Sequence, residues 1–182
     1  MMWRGLAAFL CALLASLTGP AAAAGPGLDD ARRAVLLDST VILGPAPDAA
    51  ALDRPVVVVV TWASWCLTCH LEIQRLIEAQ ARYGPENLTI LAVNLFEEYG
   101  RSPEGRERDL FVKRYGPPFA VLQGDGDFVS AFAPVGVLSL YLIGPVGSRV
   151  PVGPGAPGTE LTTLDGSGLQ AAIDRILAGR KC

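Results

Sequence analysis

Residues 56–72 read VVVVVTWASWCLTCHLE. Val56 to Trp62 is an almost unbroken β-branched run, too apolar for a strand with one face in water, and it predicts a central strand covered on both faces. Ala63-Ser64 turns the chain. From Cys66 to about Tyr83 the apolar residues Leu71, Ile73, Leu76, Ile77 and Ala81 fall mainly at helical spacing, and the run stops at Gly84-Pro85. A buried strand therefore runs straight into a helix, with Cys66 and Cys69 at the junction and His70 directly after them. Two chemistries share that pattern. C-x-x-C can close and reopen a small disulfide ring, whereas C-x-x-C-H is the form in which c-type haem is attached.

Working outward, Thr89 to Leu95 (TILAVNL) reads as a second buried strand, so strand, helix and strand make a βαβ unit with parallel strands and a right-handed crossover. The loop opening Phe96-Glu97-Glu98 leads to Ser102-Pro103-Glu104, a cap and first-turn pattern for a helix reaching about Tyr115. A short strand is expected at Phe119 to Leu122, a short helix near Asp127 to Phe132 and a further buried strand at Leu138 to Ile143. Gly144 to Gly147 makes a turn. One or two more strands follow, at Arg149 to Val152 or Thr159 to Leu164, with a Pro/Gly loop between them. Ser167 with Gln170 is a capping-box pattern that starts a last helix, to about Ala178. On the other side of the motif, residues 25–55 form a variable entry segment in which Val41-Ile42-Leu43 can add an edge strand. The expected fold is α/β: a central mixed β-sheet flanked by helices on both faces, in one domain over 25–182. The cysteines lie beyond the carboxyl end of the first central strand, where α/β sheets keep their sites.

The 182 residues include 51% hydrophobic and 18% charged, enough for a good core, and a net charge of −3 offers no cationic surface to neutralise phosphates. Nucleic-acid binding is not expected. The N-terminus places Arg4 before an apolar run from Leu6 to Leu17, then Ala22-Ala23-Ala24 before Gly25. That is the layout of a secretory signal peptide over 1–24, cut after Ala24; left uncut, the same stretch would be a membrane anchor. Export implies an oxidising compartment, periplasmic or otherwise extracytoplasmic. Cys11 leaves with the leader, and Cys182, the final residue, has no internal partner. Haem fits this chain badly. His70 is the sole histidine, and Met1 and Met2, the only methionines, lie in the leader, so a second axial ligand is wanting. A zinc site lacks a second ligand pair. As a purely structural disulfide, a ring with two intervening residues would remove little unfolded-state entropy. Neither cofactor nor resident metal is called for.

VVVVVTWASWCLTCHLE, TILAVNL, the helix ending VKRYG and the strand LSLYLIGPVG together resemble the thioredoxin superfamily, and within it the exported TlpA/ResA-type thiol-disulfide oxidoreductases. The resemblance spans about residues 41–178. It implies a thioredoxin-like fold, protein thiols or disulfides as substrates, an upstream redox partner, and a reducing task such as cytochrome c maturation. Cys66, at the positive end of the helix, is expected to be the attacking thiolate, and Cys69, one turn further in, the resolving sulfur. Glu72 matches the glutamate that these proteins place three residues after the second cysteine, which implies a partly buried acid moving protons. Thioredoxin proper has an acid six residues before the first cysteine, where this chain has Val60. Trp65 is expected beside the disulfide, Trp62 in the core, and His70 facing solvent in the first turn. Relatives often have a helix-kinking proline where this chain has Gln74. Thioredoxin-like proteins also begin the strand matching LSLYLI with a cis-proline; here Leu138 stands there, so the Val137-Leu138 bond is expected trans, and Trp65, Val137 and Leu138 form the substrate-docking set. Without the proline ring a soft ion such as Cu(I) could reach the sulfurs, and the rival reading is a thioredoxin-fold copper metallochaperone or assembly factor.

Overall fold

In a computed structural model that describes residues 28–100, 105–144 and 166–178, the valine run is the middle of the sheet. The strands are β1 (Thr40–Leu43), β2 (Val56–Trp62), β3 (Leu88–Asn94), β4 (Ala120–Gln123) and β5 (Leu140–Ile143), in the spatial order β1-β4-β3-β2-β5. β2, β3 and β4 run parallel; β5 pairs antiparallel with β2 and β1 with β4, so the sheet is mixed. All seven side chains of β2 are buried, as a doubly covered strand requires.

Alternation along β2 builds two cores. Val56, Val58, Val60 and Trp62 face α3 (Leu67–Tyr83), α4 (Arg106–Tyr115) and α6 (Gly166–Ala178), while Val57 and Val59 face α1 (Asp30–Asp38), α2 (Ala49–Leu52) and α5 (Gly126–Phe132). α3 packs Ile73, Leu76, Ala79 and Tyr83 against the first core and ends at Gly84, whose φ of +74° suits a residue without Cβ.

The entry segment contains more than the expected edge strand. Asp29 caps α1, its carboxylate accepting from the Arg32 N–H, and Asp48 caps α2 in the same way. Leu36 is the only buried side chain of α1, so its apolar stripe is thin and periodicity alone misses it. α4 begins at Arg106 behind Gly105, later than the cap pattern suggested; Ser102-Pro103-Glu104 lie outside the described residues. So do the stretch read as a leader, with Arg4 and Cys11, the strands expected after Gly144, the Ser167 cap side chain and Cys182.

Candidate active site

Cys66 is the N-cap of α3. Its backbone is extended (φ −85°, ψ 106°), and its Sγ accepts from the Cys69 N–H at 3.3 Å. Cys66 and Cys69 are joined in a disulfide with Cα atoms 5.3 Å apart. The two sulfurs are not equivalent: Cys66 keeps 9% of its surface exposed and Cys69 none. The Thr68 hydroxyl sits 3.3 Å from the Cys66 sulfur.

The turn that delivers Cys66 is held by hydrogen bonds from its backbone and its side chains. The Cys66 N–H donates to the Ala63 carbonyl at 3.2 Å, closing a β-turn whose central residues are Ser64 and Trp65. Glu97 accepts from the Ser64 N–H (2.8 Å), the Ser64 hydroxyl (2.7 Å) and the Asn94 amide (2.6 Å). The Trp65 indole N–H donates to the Phe96 carbonyl at 2.8 Å, and Phe96 itself adopts a left-handed φ of +64°. Gly100 lets the ring lie close, because a Cβ there would stand 2.7 Å from the indole Cδ1.

His70 corrects its expectation. It is half-buried rather than solvent-facing, edge-on to Phe111 with ring centroids 4.6 Å apart. Its Nε2 lies 3.0 Å from the Ser64 carbonyl and its Nδ1 2.9 Å from the Tyr115 hydroxyl. The aromatic end of α4 draws the ring inward: Phe111 stacks on the buried Trp62 and leaves a slot against Tyr115 that an imidazole fits. An axial haem ligand would have to give up those contacts.

Glu72 is buried at 3% exposure, with its Oε2 accepting from Arg75 at 3.3 Å. Burial raises the cost of its charge, and the guanidinium offsets part of that cost. Trp65 is exposed beside the motif, together with Leu67 (80% exposed) and Leu71 on the outer face of α3. No cis peptide occurs among the described residues, so Val137-Leu138 is trans as expected. Val137 and Leu138 are half-buried against the first core, and the Val137 carbonyl accepts from the Thr61 hydroxyl at 2.8 Å. The strand starts at Leu140, later than read from sequence, because Ser139 N–H donates to the Thr61 side chain while its carbonyl accepts from the Thr61 N–H.

Sequence reasoning passed over Glu97, Asn94, Phe111 and Tyr115 as parts of the site. One signal was available: Asn94 is a polar residue inside an apolar strand, at the same level as Trp62 on β2 and fully buried. Such a group needs partners, and Glu97 three residues on is one of them.

No protein-family model matches the chain, and no curated protein matches it. Solved structures do. A thiol-disulfide isomerase from Corynebacterium glutamicum superposes with a TM-score of 0.62 at 16% identity, over 78% of this chain and 93% of that one. A secreted Mycobacterium tuberculosis disulfide oxidoreductase, homologous to E. coli DsbE, gives 0.58 at 17%, over 79% and 98%. A thioredoxin-like protein from Aeropyrum pernix gives 0.58 at 17%, over 79% and 91%. At these identities the likeness establishes the fold, which is thioredoxin-like.

Proposed function

From a thioredoxin-like fold with a closed cysteine pair at the start of α3, we propose that the chain is a thiol-disulfide oxidoreductase acting on protein thiols and disulfides. The observation that carries this reading is the asymmetry of the pair: Cys66 caps the helix and is the more accessible sulfur, and Cys69 lies beneath it with no exposed surface. Backbone N–H groups and the positive end of the helix dipole favour a thiolate at the first position. In the reduced protein the Cys66 thiolate attacks a substrate disulfide, forming a mixed disulfide and releasing the first substrate thiolate. Cys69 then gives up its proton and attacks the Cys66 sulfur, which closes the internal disulfide and releases the second. Two electrons pass to the substrate. An upstream dithiol restores the starting state by the reverse steps.

Glu72, one turn beyond Cys69 on the same helix, is the residue we assign to receive the Cys69 proton. Trp65, Val137 and Leu138 are assigned to substrate docking. The leader pattern supports an extracytoplasmic location, and one solved structure of similar fold is a secreted protein. A reducing role in an assembly task such as cytochrome c maturation fits that setting.

The test is turnover of a model disulfide by the reduced protein. Cys66→Ser should abolish it, and Cys69→Ser should accumulate a mixed disulfide visible by mass. Stoichiometric Cu(I) capture without exchange would overturn the reading in favour of a metallochaperone.

A further inference from the structure

We propose that His70 is a positioning residue for the attacking sulfur: it fixes the central peptide of the Ala63–Cys66 turn through the Ser64 carbonyl. The inference rests on the exchange reading above. A β-turn leaves one peptide unfixed by its own hydrogen bond, the one between its second and third residues, and tilting that plane turns the backbone on either side of it. Here the plane is Ser64–Trp65. Glu97 holds the Ser64 N–H and hydroxyl ahead of it, and the Phe96 carbonyl holds the Trp65 indole after it. Neither contact engages the Ser64 carbonyl. His70 does, at 3.0 Å.

A carbonyl can only accept, so Nε2 carries a proton, and the Nδ1 side must then suit whatever Tyr115 presents. The Tyr115 hydroxyl at 2.9 Å can donate to the bare Nδ1, so the Nε2–H tautomer that the turn needs satisfies both ring nitrogens. The aromatic ring of Phe111 holds the imidazole in the required plane. α4 thus reaches the cysteines through His70, although neither Phe111 nor Tyr115 belongs to the motif. A tilted peptide would turn the chain immediately before Cys66 and move its sulfur relative to the Cys69 N–H that now bonds it at 3.3 Å. That hydrogen bond is one of those that stabilise the thiolate.

The readout is alkylation of reduced Cys66 by iodoacetamide across pH, followed on the Cys66 peptide by mass spectrometry, with urea midpoints measured alongside. His70→Leu should slow alkylation at neutral pH about fivefold and move its pH midpoint upward, the scale of one lost hydrogen bond. His70→Gln, which keeps a donor where Nε2 lies but carries no charge, should return the profile to wild type. If Gln is displaced as far as Leu, or if both match wild type, the positioning role is overturned. Should His70→Leu fail to fold, Tyr115→Phe carries the same test: it deletes only the hydroxyl, and a profile displaced in the same direction supports the role while an unchanged one overturns it. A wild-type Cys66 that ionises like a free thiol, near pH ~8.5, overturns the exchange reading and this proposal together; a low wild-type value that no His70 variant moves overturns only the proposal.

Discussion

Ser64 has three backbone and side-chain polar groups, and all three are engaged: two by the Glu97 carboxylate and one by His70. A residue so fully tied down, two positions before the sulfur proposed to attack, makes the turn a preformed mount. The chemistry of its partner decides how it breaks. In Glu97→Gln the amide oxygen can take over the position of Oε1, keeping the Ser64 N–H and Asn94 donors. The amide NH2 then stands where Oε2 was, and the Ser64 hydroxyl rotor reverses to accept from it. That variant should lose only charge assistance, about 1 kcal/mol. Glu97→Ala strands the Ser64 N–H and one N–H of the buried Asn94 amide, whose nitrogen also donates to the Trp62 carbonyl at 3.3 Å, and should cost about 1–3 kcal/mol for the unsatisfied donors. Urea unfolding of the two variants checks the ordering, and equal losses would show that the acceptor geometry is not what matters. The Cys66–Cys69 disulfide was legible at this scale because so small a ring demands one residue type at one spacing. Glu97 and His70 were not, since their role comes from contacts across 33 and 6 residues that spacing cannot express.

Among the elements, α3 links the site to the far end of the molecule. Its first residue follows Cys66, and its last, Tyr83, is buried against α6, where the phenol donates to the Gln170 carbonyl (3.2 Å) and the Asp174 carboxylate (3.1 Å). Burial raises the Tyr83 pKa above its ordinary value of 10.0, the Asp174 hydrogen bond and charge raise it further, and Arg82 opposes them. The folded protein therefore holds this proton more tightly than the unfolded chain does. The resulting stability is fully present below pH ~10 and is lost as pH rises toward the elevated folded pKa. Tyr83→Phe should be less stable than wild type at neutral pH and should show a shallower loss above pH ~10. Denaturation midpoints of both proteins on either side of that pH read the difference, and parallel alkaline limbs would refute the linkage. α3 itself was legible because its apolar residues repeat over seventeen positions. α1 and α2 were hidden: nine and four residues long, they bury one side chain each, and their Asp29 and Asp48 caps were the clearer mark of where they start.

At the scale of the whole molecule, one sheet separates two cores, and among the described residues only one of them includes the cysteine pair. The even-numbered valines of β2 and Trp62 pack with Cys66, Cys69 and α3, whereas Val57 and Val59 pack with Leu36, Phe128 and Phe132 on the opposite face. The valine run predicted this two-sided burial, because no strand with a wet face tolerates five valines in succession. It could not say which helices lie on which face. That depends on crossover connections and on α4, α5 and α6, whose short runs carry no label of side. The division separates stability from reactivity. Leu76→Ala removes a fully buried side chain from α3 and should cost about 2–5 kcal/mol. Phe128→Ala, equally buried on the other face, should cost about 3–5 kcal/mol. Their effects on the dithiol should differ. A cavity under α3 lets the helix settle and shifts the N–H groups that meet Cys66, so Leu76→Ala should change the Cys66 alkylation rate under fully native conditions. Phe128→Ala should leave that rate at the wild-type value, because close-packed β2 lies between the cavity and the sulfur. If both deletions alter Cys66 equally, the sheet does not insulate one face from the other, and the site draws on the whole core.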